Sequence, residues 1–413
     1  MAAGTAKARI VLAGSLGEYL EGGGYWWNRL QYMLGLRQLG YTVHWLDLLP
    51  STRDPARDRE RIRRTLMQLA QFGLAGAAIV LLHDSDSPDH YAEAFTLFNS
   101  TRDHFQRVVG RADVLWNLCG AAKEPLLSLF KRRALIDLDP GVFQVSGLTW
   151  DMGIEQHDVL FTVGMKMHDP DCQVPDLGVT WHPIKPNVFL PRWPSAPDPG
   201  PGAPFSSVTQ WEWREMWHEG RILSRSKREA YLRVLDLPAR TGLPCELAAN
   251  FDPHDDTGDP QLLAAHGWRL NHPHMCARSP FAYRRYIESS RAELLCPKPI
   301  YADLKTGWFS DRSACYMATG RPVICHETGF SDRLPTGEGL LSFETLDEAA
   351  AAMEDVHAHF GRHSAAAREI AIEHFDSQRG LARMVEISLG AGGYSAASTS
   401  AAARSPERTA PSM

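Results

Sequence analysis

No C-x-x-C pair occurs in the sequence, and its seven cysteines, Cys119, Cys172, Cys245, Cys276, Cys296, Cys315 and Cys325, are odd in number and dispersed. A disulfide framework does not suit that pattern; reduced thiols in a cytoplasmic compartment do. Positive charge is not in excess either, since 43 Lys and Arg against 49 Asp and Glu leave a net charge of −6. Without a broad basic field to meet a phosphate backbone, nucleic acid is not an expected partner. The apolar run at residues 71–82 falls short of the ~18–20 residues a spanning helix requires. No transmembrane segment is expected, and the apolar run at 10–13 is too brief to be a signal-peptide core.

What is present is an ordinary globular composition, 44% hydrophobic and 22% charged, in 413 residues, enough for two or three domains. Strand-like apolar runs at 10–13, 41–46, 77–82, 114–118, 134–138 and 159–163 are separated by segments long enough for a helix. Repeated β-α alternation predicts a parallel α/β sheet. Eight prolines crowd residues 183–204, and 195–203 has no periodicity, which places a linker at 191–204 after a first domain of 1–190. Further runs at 205–209, 245–249, 292–296, 322–325 and 339–343 predict a second α/β domain over 205–364. The pattern is mostly helical to residue 389, and the Ala/Ser/Gly/Pro-rich segment 390–413 reads as a disordered tail.

The most informative segment is KTGWFSDRSACYMATGRPVI, residues 305–324. Ser310 suits an N-cap, Asp311 the positive end of a helix dipole, Gly320 a C′ position, and Pro322 then opens a strand. The first turn of such a helix offers free N–H groups at Ser310 to Ser313, and Lys298, Lys305 and Arg312 add positive charge. That combination predicts an anion site suited to a diphosphate.

From Gly307 to Ile324, then Glu327-Thr328-Gly329-Phe330 and residues 335–340 (PTGEGL), the chain resembles the donor-binding half of GT-B glycosyltransferases, especially the bacterial group 1 and spore-coat-like proteins. The resemblance implies two Rossmann-like α/β domains facing each other across a cleft. It further implies a nucleotide-sugar donor on the second domain, a small-molecule or glycan acceptor on the first, and a helix over 365–389 that crosses back to the first domain. Glu327, Thr328, Gly329 and Phe330 would then lie near the donor sugar. One position departs from the family: Cys315 stands where a glutamate usually holds the donor ribose, and a thiol is a poor bidentate acceptor. Asp311, one turn earlier, is the replacement expected here.

In the first domain, Gly14 to Gly24 does not fit the spacing of a dinucleotide fingerprint, and Glu18 and Glu21 would repel a pyrophosphate. The resemblance makes Gly23, Gly24, Tyr25 and Trp26 acceptor-side residues, with aromatic core packing as the other reading. Asp137 and Asp139 flank Leu138 at a strand end, and alternation places both on one face. Asp139 is the leading base candidate for an inverting transfer, a plain turn being the other reading, and Glu18 is second. The clusters at 252–256 and 272–276 and the Asp169-Pro170-Asp171 triplet lack zinc-site or strand context, so no metal is assigned. Trp211, Trp213 and Trp217 follow the first strand of the second domain, where an indole stacks on a ligand or packs in the core. The expected activity is metal-independent glycosyl transfer with no cofactor beyond the nucleotide-sugar co-substrate. A nucleotide-sugar 2-epimerase and a non-catalytic nucleotide-sugar-binding protein remain alternatives, because fold does not fix function.

Overall fold

The computed structural model describes residues 7–84, 95–251 and 257–390. The cluster at 252–256 and residues 391–413 of the expected tail lie outside the described residues. Two sheets organise the rest. The first contains β1 (Arg9–Gly14), β2 (Thr42–Pro50), β3 (Ala78–His83), β4 (Thr96–Phe98), β5 (Val114–Leu118), β6 (Arg133–Asp137), β7 (Val159–Thr162) and β8 (Trp181–Pro183). Their order is β4-β3-β2-β1-β5-β6-β7-β8, and every pairing is parallel except β3 with β4. Ile10 to Gly14 are buried without alternation, as a parallel strand covered on both faces requires.

After β9 (Phe205–Gln210) come a hairpin of β10 (Met216–His218) and β11 (Arg221–Leu223), and then β12 (Cys245–Asn250), β13 (Arg269–Asn271), β14 (Ala292–Leu295), β15 (Val323–His326) and β16 (Leu340–Phe343). The second sheet is wholly parallel, in the order β13-β12-β9-β14-β15-β16. In both sheets the strand order reverses beside the first strand, and ligands of open α/β sheets bind at the carboxyl ends there.

The segment between the sheets is fastened rather than loose. Trp193 is fully buried, the Ala196 amide donates to the Thr319 carbonyl at 3.0 Å, and Arg321 donates to the Pro197 carbonyl at 2.6 Å. The final helix, Ser377–Leu389, packs on the first domain: Leu381 and Ser377 press against Gly35, and Trp116 donates to Ser388 at 3.0 Å. The first helix spans Gly23–Gln38, so Gly23 and Gly24 lie inside its first turn rather than in a preceding loop.

Candidate functional site

β14 ends beside Cys296-Pro297-Lys298, and Ser310 opens the helix Asp311–Ala318, its hydroxyl accepting the Arg312 amide at 3.2 Å. Gly320 follows at φ +75° and ends the helix as a C′ glycine. Arg312 does not point freely at this N-terminus. Its Nε is bonded to the Glu293 carboxylate inside the sheet, and its Nη1 donates to the Val208 carbonyl at 2.5 Å. Burial opposes the guanidinium's charge, but Glu293 more than offsets this and holds it well above its ordinary range. Arg312, expected to add positive charge at the diphosphate site, is a buried ion-pair partner with one group to spare. Its Nη2 lacks a hydrogen-bond partner, as do the buried Glu293 Oε2, Ser313 Oγ and Ser207 Oγ. Orphaned buried polar atoms cost free energy.

Lys227, just before the helix Arg228–Leu232, completes this centre. Its side chain is buried, and among the described residues no carboxylate or carbonyl receives its ammonium. Burial, then the charges of Arg312 and Lys298, pull its pKa down to about 7. Three cations thus converge at the carboxyl edge of the second sheet, and one of them has no anion.

Lys298 reaches across to the first domain, where its Nζ lies 2.5 Å from Asp139 Oδ2. The Tyr301 hydroxyl donates to Asp139 Oδ1, while its ring stacks on Trp308 at 4.4 Å. Burial, then Asp139, keeps the phenol well above its ordinary pKa. Asp139 is held from below by Asp137, which accepts its amide at 2.8 Å together with Gln144 at 2.9 Å and Thr162 at 2.8 Å. The two carboxylates differ in burial. Asp137 ends β6 inside the core and burial raises its pKa to about 6, whereas Asp139 lies past the strand with a side chain 37% exposed.

The other side of the interdomain boundary is a closed seam. Asp311 accepts from Asn28 at 3.1 Å, Gln31 donates to the Cys315 sulfur at 3.4 Å, and Trp27 donates to the Pro280 carbonyl at 2.7 Å. A Cβ on Gly23 would sit 2.4 Å from the Ser279 carbonyl oxygen, and one on Gly24 would touch the Tyr283 ring at 3.0 Å. Trp26 is fully buried, and Tyr25 lies under the Arg29 guanidinium at 3.4 Å. Gly23, Gly24 and Trp26 are thus packing residues, not an acceptor platform, because the first helix lies directly on the second domain. Asp311, expected to hold a ribose, accepts from Asn28 through one of its two carboxylate oxygens.

Around the expected sugar loop the polar groups also satisfy one another. Glu327 accepts the amides of Thr328 at 3.0 Å and Gly329 at 2.6 Å, so neither is free for sugar hydroxyls. Thr328 donates to the Trp308 carbonyl at 2.6 Å, and Phe330 is fully buried against Phe309. Gly307 at φ +68° and Gly329 at φ +93° flank Lys166 of the first domain, whose stem would lie within 2.7 Å of a Cβ at either position. The Lys166 ammonium binds Asp171 at 2.9 Å and also Asp332. Lys305 is exposed, 3.5 Å from Asp171. Glu18 is exposed at a cavity of about 490 Å³ shared with Arg57, Arg61 and Arg64, which Asp139 does not line.

Asp169 is bonded to Arg333, and His272 caps its own helix by accepting the His274 amide at 3.1 Å. Among the described residues no three His, Cys, Asp or Glu side chains are grouped to hold a metal ion, and no helix is long and apolar enough to cross a membrane.

No protein-family model matches the sequence, and no curated protein matches it. Solved structures do. An alpha-glucosyltransferase with UDP and a 13-mer DNA aligns with a TM-score of 0.57 at 12% identity, over 93% of this chain and 100% of that one. A glycosyltransferase from Rickettsia africae ESF-5 gives 0.55 at 12% identity, over 93% and 98%. Anabaena HepE in complex with UDP and glucose gives 0.53 at 10% identity, over 92% and 100%. The chain has the GT-B fold.

Within this GT-B chain, Lys227, Tyr301 and Glu293 are the site residues that sequence reasoning missed. Lys227 had a signal, a cation opening a helix after the first strand of the second domain, but the β10–β11 hairpin separates it from that strand. Tyr301 and Glu293 had none, since their partners lie in other elements.

Proposed function

We propose that the protein is a glycosyltransferase whose second domain holds a nucleotide-sugar donor by its diphosphate. A hydroxyl presented at Asp139 of the first domain takes the sugar. Lys227 carries this reading: a buried ammonium beside Arg312 and Lys298, with no carboxylate of its own, is a site that a diphosphate would neutralise. The spare Arg312 Nη2 and Ser313 Oγ add donors at the same helix N-terminus. UDP is the first nucleotide to test, because it occupies the solved alpha-glucosyltransferase and HepE structures. These cations stabilise the leaving group without a metal ion or other cofactor.

In the transfer, the acceptor oxygen bonds to the anomeric carbon as the bond from that carbon to the β-phosphate oxygen breaks. The nucleoside diphosphate leaves with the bonding pair, and the hydroxyl proton passes to Asp139. Lys298 now holds that carboxylate; an incoming diphosphate draws Lys298 away and frees Asp139 to act as base. A non-catalytic nucleotide-sugar-binding role is the second reading. It rests on the same residue, because both Asp139 oxygens already accept bonds from Lys298 and Tyr301.

Incubation with UDP-sugars in EDTA, with and without hydroxyl acceptors, tests the proposal by chromatography of the nucleotide products. Release of UDP with transfer of the sugar to an acceptor or to water supports it. Recovery of a 2-epimer, or of donor bound but unchanged, overturns it.

A further inference from the structure

Beside Lys298, the loop that leaves β9 builds a cavity that neither the donor nor Asp139 accounts for. Its volume is about 570 Å³, and its lining includes Glu212, Trp213, Arg214, Glu215, Ser226 and Glu229. Trp213 is half exposed, although an indole usually buries its large apolar face. The ring lies 5.6 Å from the Lys298 ammonium, which is itself bonded to Asp139. Lys298 thus links the indole to the proposed base.

The base of the loop is rigid. Lys227 and Arg228 both donate their amides to the Trp211 carbonyl, at 3.1 and 3.2 Å, and the fully buried Trp211 donates to Asp259 at 2.9 Å. The far strand of the hairpin is tied to the first domain by Arg221, which donates to Gln173 at 2.7 Å. A tryptophan held by such a frame presents a flat apolar platform at little cost in ordering when a ligand arrives.

The surrounding charges restrict what that ligand is. Three carboxylates, Glu212, Glu215 and Glu229, face Arg214 and Arg228, and Arg228 is bonded to Asp259 at 2.5 and 2.8 Å. With that guanidinium already neutralised, the wall is net negative and repels phosphates and other anions. A wholly apolar ligand would find one aromatic ring and otherwise charged side chains. A sugar ring satisfies both parts, with its C–H face against the indole and its hydroxyls on carboxylates and guanidinium.

We propose that this cavity is the acceptor site and that its ligand is a neutral carbohydrate, one ring of which lies on Trp213 with a hydroxyl directed toward Asp139. The proposal rests on the glycosyltransferase reading and names its acceptor class.

The test uses the full chain with lactose, maltotriose and cellotriose as probes, and glucose 6-phosphate and a short DNA duplex as anionic comparators, read by saturation-transfer NMR and calorimetry. At least one neutral oligosaccharide binds. Trp213→Ala weakens that binding about tenfold, whereas Trp213→Phe, which keeps an aromatic face, loses much less. The proposal is overturned if no neutral probe binds, if either anionic probe binds more tightly than the neutral ones, or if Trp213→Ala binds the neutral probes like the parent. UDP affinity is measured on the same samples. Absence of UDP binding to the parent chain sinks the donor reading, while failure of the parent chain to bind any neutral probe with its UDP affinity intact sinks only the acceptor assignment.

Discussion

Two stretches of the interdomain boundary hold similar kinds of side chain and do different things with them. Along the first helix, Asn28, Gln31 and Trp27 meet Asp311, Cys315 and the Pro280 carbonyl in paired contacts, and Gly23 leaves no room for even a methyl group. Around Lys298 the pairing is incomplete: Lys227 has no carboxylate, Ser313 and one Arg312 nitrogen have no hydrogen bond, and Trp213 faces solvent. Where side chains of the two domains pair with one another, the boundary is a seam. Where cations outnumber their anions, an anion is missing, and on the proposed function the donor's diphosphate supplies it. Residue type alone does not distinguish the two, since an aspartate at a helix N-terminus serves either purpose.

The largest expected effect separates Arg312 from Lys227. Arg312→Ala leaves Glu293 buried without its partner and costs about 3–5 kcal/mol of stability by denaturant titration, whereas Arg312→Met with Glu293→Leu recovers most of that loss. An Arg312→Ala variant as stable as the parent would show that the pair with Glu293 does not hold the fold. Next is the base. Asp139→Asn lowers turnover about 10²-fold or more, and because it releases Lys298 it leaves UDP affinity equal or higher. Lower UDP affinity in that variant would show that Asp139 supports the donor site rather than competing for its lysine.

A smaller effect tests the seam. Gly23→Val forces side-chain atoms against the Ser279 carbonyl and lowers stability by about 1–3 kcal/mol in thermal melts, with UDP binding retained. Unchanged stability would mean that the first helix does not bear on the second domain.

Much of this architecture was legible from local pattern. The apolar runs at 10–13 and 114–118 fall inside β1 and β5, and Ser310 and Gly320 bound their helix by capping chemistry that acts over a few residues. The strands β4, β8 and β13, three residues each, carry too short a pattern to read, and the β10–β11 hairpin hides among the charges of residues 212–225. Of the site, the segment was visible but its pairings were not. Gln31 and Cys315 are 284 positions apart, and Asn28 and Asp311 283, so no local rule connects them. Cys315 looked like a missing ribose ligand. In the fold it is a buried contact for Gln31, a role for which a small, weakly polar thiol is suited.

The missing anion is tested most directly by calorimetric titration of UDP in EDTA at about pH 6 and about pH 9, on the parent chain and on Lys227→Met. With its pKa pulled down to about 7, Lys227 is protonated at the lower pH and largely neutral at the higher one in the free protein. UDP binding restores the proton, so affinity falls by up to about tenfold per pH unit above 7. Lys227→Met binds UDP weakly at both values and loses that slope. If UDP binds the variant as tightly as the parent, or with the same pH dependence, the diphosphate is held elsewhere and the account of this site is wrong.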